Sequence, residues 1–130
     1  MATYTNPVVE TAAAFVRAFA AGDEAELRAL TDPDLVYRQV NPGGFVEVLG
    51  VDALVEKVRR EIADDGGWET LFVDAAPAAD KARVHASVRF VRGGRRLRYD
   101  WTEYLELRDG RVWRRDLACG GARPDDGDAG

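Results

Sequence analysis

The stretch WTEYLELRDGRVWRRDLACG, residues Trp101–Gly120, decides the fold. It divides at Asp109-Gly110, a dipeptide favoured by the type I′ turn because both central residues take positive φ. Two strands therefore meet there as a hairpin. Successive side chains of a strand point to opposite faces, so Trp101, Glu103, Leu105 and Leu107 share one face. Three of these are large and apolar. The fourth is a carboxylate on the side that should be dry.

Gly93-Gly94 is a second two-residue hairpin signal, between strands at Ala82–Val91 and Arg96–Leu107. Such turns fix the register. Phe90 then faces Leu97, Val88 faces Tyr99, Ala86 faces Trp101 and Val84 faces Glu103. The other face pairs Arg89 with Arg98, Ser87 with Asp100, His85 with Thr102 and Arg83 with Tyr104. One face is apolar apart from Glu103 and the other is charged, which leaves His85 outside. Around Asp109-Gly110 the same rule sets Leu107 against Val112, Leu105 against Arg114 and Glu103 against Asp116. The dry face thereby gains Arg114 and Asp116. A β-bulge in the last strand would turn Trp113, Arg115 and Leu117 inward instead.

The N-terminal half alternates helix and strand. Asn6 caps a helix with Pro7 at its first position; Val8, Ala12, Phe15, Val16 and Phe19 form its apolar face, and Gly22 stops it. Asp23 and Glu26 make a capping box for a short helix carrying Leu27 and Leu30. From Leu35 the period is two, so Leu35, Tyr37, Gln39 and Asn41 point one way. Asn41-Pro42-Gly43-Gly44 turns the chain into a strand at Phe45–Leu49. A third helix spans about 52–63, with Leu54, Val55, Val58 and Ile62 inward. Trp68–Ala75 begins a four-stranded antiparallel meander. The fold class is α+β, helices on one face of a curved sheet, in one domain over residues 1–119. Residues 120–130 are small, acidic and Gly-rich and read as a mobile tail.

The composition excludes several functions. A net charge of -5 and a pI near 4.9 suit no nucleic-acid phosphate backbone. No apolar run is long enough to span a membrane, and MATYTNPVVE lacks a signal peptide's basic and apolar regions, so a cytoplasmic protein is expected. Cys119 is the sole cysteine and His85 the sole histidine, which supports neither a disulfide nor a metal site. There is no Gly-rich phosphate loop and no nucleophile elbow. No cofactor is expected.

A buried carboxylate pairs, titrates upward or lines a solvated cavity. Glu103 and Asp116 are therefore the candidate acid or base. Tyr37, Gln39, Asn41 and Arg114 are the polar groups expected around a ligand, and Trp68, Tyr99 and Trp101 its flat apolar walls.

The segments AAFVRAFAAGDEAELRALTDPDLVYRQV, VLGVDALVEKVRR and LRYDWTEYLELRDGRVWRRDL occur in an order that resembles the SnoaL-like group of the nuclear transport factor two-like superfamily, from about Pro7 to Leu117. The resemblance implies a cone: a curved, mainly antiparallel mixed sheet wrapped around three helices and enclosing a pocket. It also implies a homodimer through the outer sheet face. The superfamily includes ketosteroid isomerases, polyketide cyclases, dehydratases, epoxide hydrolases and non-catalytic binding modules, and fold alone does not choose among them. Glu103 resembles the acidic pocket residue of this strand, whereas Gln39-Val40-Asn41-Pro42 stands where ketosteroid isomerase carries its general base.

Two readings remain. In one, the chain is a cofactor-free acid/base enzyme (an isomerase, cyclase, dehydratase or epoxide hydrolase) on an apolar carbonyl-bearing or polycyclic metabolite. In the other, it is a ligand-binding or assembly module without chemistry. An open cavity at Glu103 and Asp116 favours the first; closure of Trp101, Tyr99 and Phe15 over them favours the second.

Overall fold

The computed structural model describes residues 6–125. Helix α1, Pro7–Ala21, starts where the Asn6 side chain accepts from the backbone N–H groups of Val8 and Val9 at 3.0 and 3.3 Å. It ends at Gly22, whose φ of 70° lets the chain turn back onto the last carbonyls. Helix α2, Glu24–Leu30, is capped by Asp23, which accepts from the Glu26 N–H. Strands β1 (Thr31–Asn41) and β2 (Gly44–Leu49) form a hairpin, and helix α3 runs from Val51 to Asp64. Strands β3 (Glu69–Ala78), β4 (Lys81–Arg92), β5 (Arg95–Arg108), β6 (Arg111–Cys119) and β7 (Arg123–Pro124) follow.

The sheet is open and runs β2-β1-β6-β5-β4-β3, with β7 beside β5. All its pairs are antiparallel except β1 with β6. This is the mixed, mainly antiparallel sheet expected. Phe15, Val16, Phe19, Leu27, Leu54 and Val58 pack from the helices onto Leu35, Val84, Val88 and Leu105. Residues 123–124, expected in a mobile tail, are a strand: Leu97 pairs with Pro124, and the Asp125 N–H donates to the Arg96 carbonyl at 3.0 Å. The remainder of that expected tail, 126–130, lies outside the described residues.

The register about Gly93-Gly94 is the predicted one, with Val84 opposite Glu103 and Ala86 opposite Trp101. The register about Asp109-Gly110 holds only for the first pairs. Leu107 faces Val112, but Glu106 then faces Arg114, Leu105 faces Arg115 and Glu103 faces Leu117. Trp113 is the extra residue of a bulge. Beyond it, Arg115 and Leu117 are buried on the helix side. Arg114 and Asp116 turn to the outer face, where Arg114 Nε donates to Asp116 at 3.0 Å. The expectation that these two stand beside Glu103 is thus corrected. Neither lines the interior.

Candidate functional site

Glu103 is fully buried and is answered by a residue that strict hairpin counting puts outside. Arg115 donates through Nε to one carboxylate oxygen at 2.5 Å and through Nη2 to the other at 2.9 Å. Trp101 Nε1 donates to that second oxygen at 2.5 Å. The guanidinium lies 4.0 Å from the Phe19 ring centre, 4.6 Å from Tyr37 and 5.2 Å from Phe15. Burial works against its charge, but the adjacent carboxylate outweighs that and holds the Arg115 pKa above its ordinary value. Glu103 therefore has three donors and no opening. It makes the floor of a site rather than its wall.

Above this floor lies a cavity of about 260 Å³, just below the roughly 300–1,000 Å³ common for ligand pockets. Tyr37, Gln39, Asn41, Tyr99 and Trp101 line it, as the period-two readings of β1 and β5 require, and Trp68, just before β3, lines it too. The three β1 residues form a file: the Tyr37 hydroxyl donates to Gln39 Oε1, and Gln39 Nε2 donates to Asn41 Oδ1 at 2.7 Å. Among the described residues, the Asn41 amide nitrogen, at the outer end, has no partner and can donate to a ligand oxygen. Burial pushes the Tyr37 hydroxyl well above its usual pKa, so it stays a neutral donor. Trp68 packs at 5.6 Å from Tyr99 and 6.3 Å from Trp101, giving flat walls.

A family model for the SnoaL-like domain matches residues 12–115. The chain belongs to the SnoaL-like family. Solved structures place this SnoaL-like domain among proteins of the same fold. An LEH-like epoxide hydrolase from M. tuberculosis is 21% identical with a TM-score of 0.70, over 87% of this chain and 82% of that one. Bal32a, from a soil-derived mobile gene cassette, is 24% identical with a TM-score of 0.70, over 88% and 92%. An NTF-2 like protein from Burkholderia xenovorans is 18% identical with a TM-score of 0.62, over 92% and 87%. These likenesses are to the fold. No curated protein sequence is significantly similar to the chain.

Among the cavity side chains of the SnoaL-like domain that escaped the sequence reading are Phe19, Glu61, Arg92 and Cys119. Arg92 continues the inward row of Phe90, and Glu61 continues the α3 stripe of Leu54 and Val58 at helical spacing, so both were legible by period. Arg92 donates to Asp65 through Nε and Nη2, at 3.0 and 2.7 Å, and to the Tyr99 hydroxyl at 3.3 Å. Trp68 Nε1 donates to the other Asp65 oxygen at 2.8 Å. This cluster braces the mouth and fixes the Trp68 ring. Burial pushes the Cys119 thiol up, away from the reactive thiolate. Among the described residues no group of acidic, His or Cys side chains could hold a metal ion. No helix there is long and apolar enough to cross a membrane.

Proposed function

We propose that this SnoaL-like domain binds a small, flat, mainly apolar molecule that carries a carbonyl or hydroxyl oxygen. The observation that carries this reading is the Tyr37–Gln39–Asn41 file, which ends in an amide donor between aromatic walls. Buried polar groups in an apolar pocket set ligand orientation. The Glu103–Arg115 pair serves the floor and is not an acid or base, because both side chains are fully buried and mutually bonded. The LEH-like epoxide hydrolase among its structural neighbours is compatible with small-molecule chemistry.

The binding is testable with β-tetralone, a flat bicyclic ketone. Its titration is expected to quench tryptophan fluorescence, since Trp68 and Trp101 form the walls. Loss of one hydrogen bond by Asn41→Ala is expected to weaken it about fivefold to tenfold. Naphthalene, which lacks the oxygen, should bind both forms alike. An unchanged β-tetralone affinity in Asn41→Ala would remove the file from recognition.

A second reading, cofactor-free acid/base catalysis of the isomerase, cyclase, dehydratase or epoxide hydrolase type, is favoured by one observation: a carboxylate, Glu61, lines this cavity. We also infer a homodimer through the outer sheet face, supported by the exposed apolar side chains Val40, Phe45 and Leu49 of β1 and β2 and Tyr104 of β5. The unpaired Cys119 thiol fits the reducing cytoplasm, where we place the protein.

A further inference from the structure

We propose that Glu61 is the proton-transferring residue of the cavity, acting on a carbon next to the ligand's carbonyl group. The inference rests on the small-molecule reading above. Among the described residues Glu61 is the one carboxylate that lines the cavity. It stands on α3, one turn after Lys57, whose ammonium nitrogen donates to Glu61 Oε1 at 2.5 Å. Among the described residues Oε2 takes no hydrogen bond. One oxygen is therefore held and the other is available to a ligand.

An ordinary surface pair four residues apart on a helix would look different. In such pairs both side chains extend into water and the contact contributes little. The neighbouring Arg59–Glu56 contact, three residues apart, is a surface pair, 3.9 Å apart with side chains 59% and 62% exposed. The Lys57 side chain is only 10% exposed and that of Glu61 40%, and the Lys57 nitrogen lies 5.9 Å over the Tyr37 ring. The negative charge of Glu61 is felt by Tyr37 and Cys119, where it favours the protonated form of each. Both belong to the same cavity wall. The carboxylate thus stands at the margin of the cavity that holds the polar file, partly open to solvent, and Lys57 fixes it there.

The chemistry balances without a co-reactant. With a ketone oxygen at the Asn41 amide, Glu61 Oε2 takes a proton from the adjacent carbon. The C–H electron pair becomes the enolate double bond, and the carbonyl π pair moves to the oxygen. The Asn41 N–H then meets a growing negative charge, which strengthens its hydrogen bond. The protonated Glu61 returns the proton to the same carbon or to a conjugated one. Return to the same carbon, after the Glu61 carboxyl has swapped its proton with solvent, is hydrogen exchange; return to the conjugated carbon is isomerisation; neither needs a redox partner or a metal.

β-Tetralone separates this inference from the binding reading, because quenching reports occupancy and proton NMR in heavy water reports exchange at the carbons flanking the carbonyl. The wild-type protein is expected to bind it and to accelerate exchange. Glu61→Gln is expected to keep the affinity within about threefold while losing about 100-fold of the acceleration, the usual contribution of a positioned base. Glu61→Asp, which retains a carboxylate, should recover part of the rate, and far-UV circular dichroism confirms that each variant is folded. Exchange at the wild-type rate in Glu61→Gln would overturn the proposal, as would a wild-type protein that binds β-tetralone without accelerating exchange; either leaves the binding reading standing. Absence of quenching in the wild type would overturn both.

Discussion

Arg115 and Glu103 lie diagonally across β5 and β6 as a doubly hydrogen-bonded ion pair in which neither side chain reaches solvent. Removing one partner leaves a buried charge unanswered, which typically costs about 3–5 kcal/mol, whereas replacing both with apolar groups of similar volume is often close to neutral. Glu103→Gln and Arg115→Met are each expected to lose that much in urea denaturation, and Glu103→Leu combined with Arg115→Met to recover most of it. Additive losses in the double variant would show that the two do not act as a pair.

The bulge at Trp113 chooses which basic residue is buried. Trp113 itself lies over the outer side, with the Arg108 guanidinium 4.9 Å from its ring centre. Deleting Trp113 lets Arg114 follow Val112 directly and still face Glu106, so strand alternation keeps Arg115 and Leu117 inward and Arg114 and Asp116 outward. The deletion variant is therefore expected to melt cooperatively, with a loss of about 1 kcal/mol for the Trp113 contacts. Loss of the cooperative transition would mean that the bulge itself, and not alternation from Val112, holds Arg115 inward.

Much of this was legible because two-residue turns and strand alternation are local rules. Gly93-Gly94 set eleven cross-strand pairs correctly, and the period from Leu35 put Tyr37, Gln39 and Asn41 on one wall. The misreading at Arg114 and Asp116 has a non-local origin. The bulge is compatible with the parallel pairing of Tyr37 beside Arg115, a neighbour more than seventy residues away along the chain. Glu61 was missed for a different reason. An acidic residue on an apolar helical stripe is the same anomaly as Glu103 in its strand, but α3 has charged residues close on either side that disguise it.

Phe45 tests the inferred homodimer. It pairs with Val40 at the outer edge of the β1–β2 hairpin, and the two are 61% and 57% exposed. Apolar side chains grouped on a sheet face are best covered by another surface. Light scattering after size exclusion is expected to give twice the chain mass for the wild-type protein and the chain mass for Phe45→Glu. A wild-type monomer at micromolar concentration would exclude this interface.

Asp100 ties β7 to β5 and makes the attachment pH-dependent. Its Oδ2 accepts from Arg123 at 2.6 Å and its Oδ1 from Arg98 at 2.9 Å. Burial raises the carboxyl's pKa, but hydrogen bonds from Ser87, Arg123 and Arg98 outweigh it and bring the value down to about 2 from the ordinary 3.8. A carboxylate with a lowered folded-state pKa stabilises the fold above its unfolded value, and that contribution is lost as pH falls through the folded one. The window is therefore about pH 4 to 2, and the contribution, screened by partial exposure, is about 1 kcal/mol. Asp100→Asn should be less stable than wild type at neutral pH by about that much, with the gap closing across this window. Because Gly121 and Ala122 line the cavity just before β7, the same variant should release β-tetralone faster in stopped-flow fluorescence. A stability gap independent of pH would exclude the Asp100 charge as the link between β7 and the sheet.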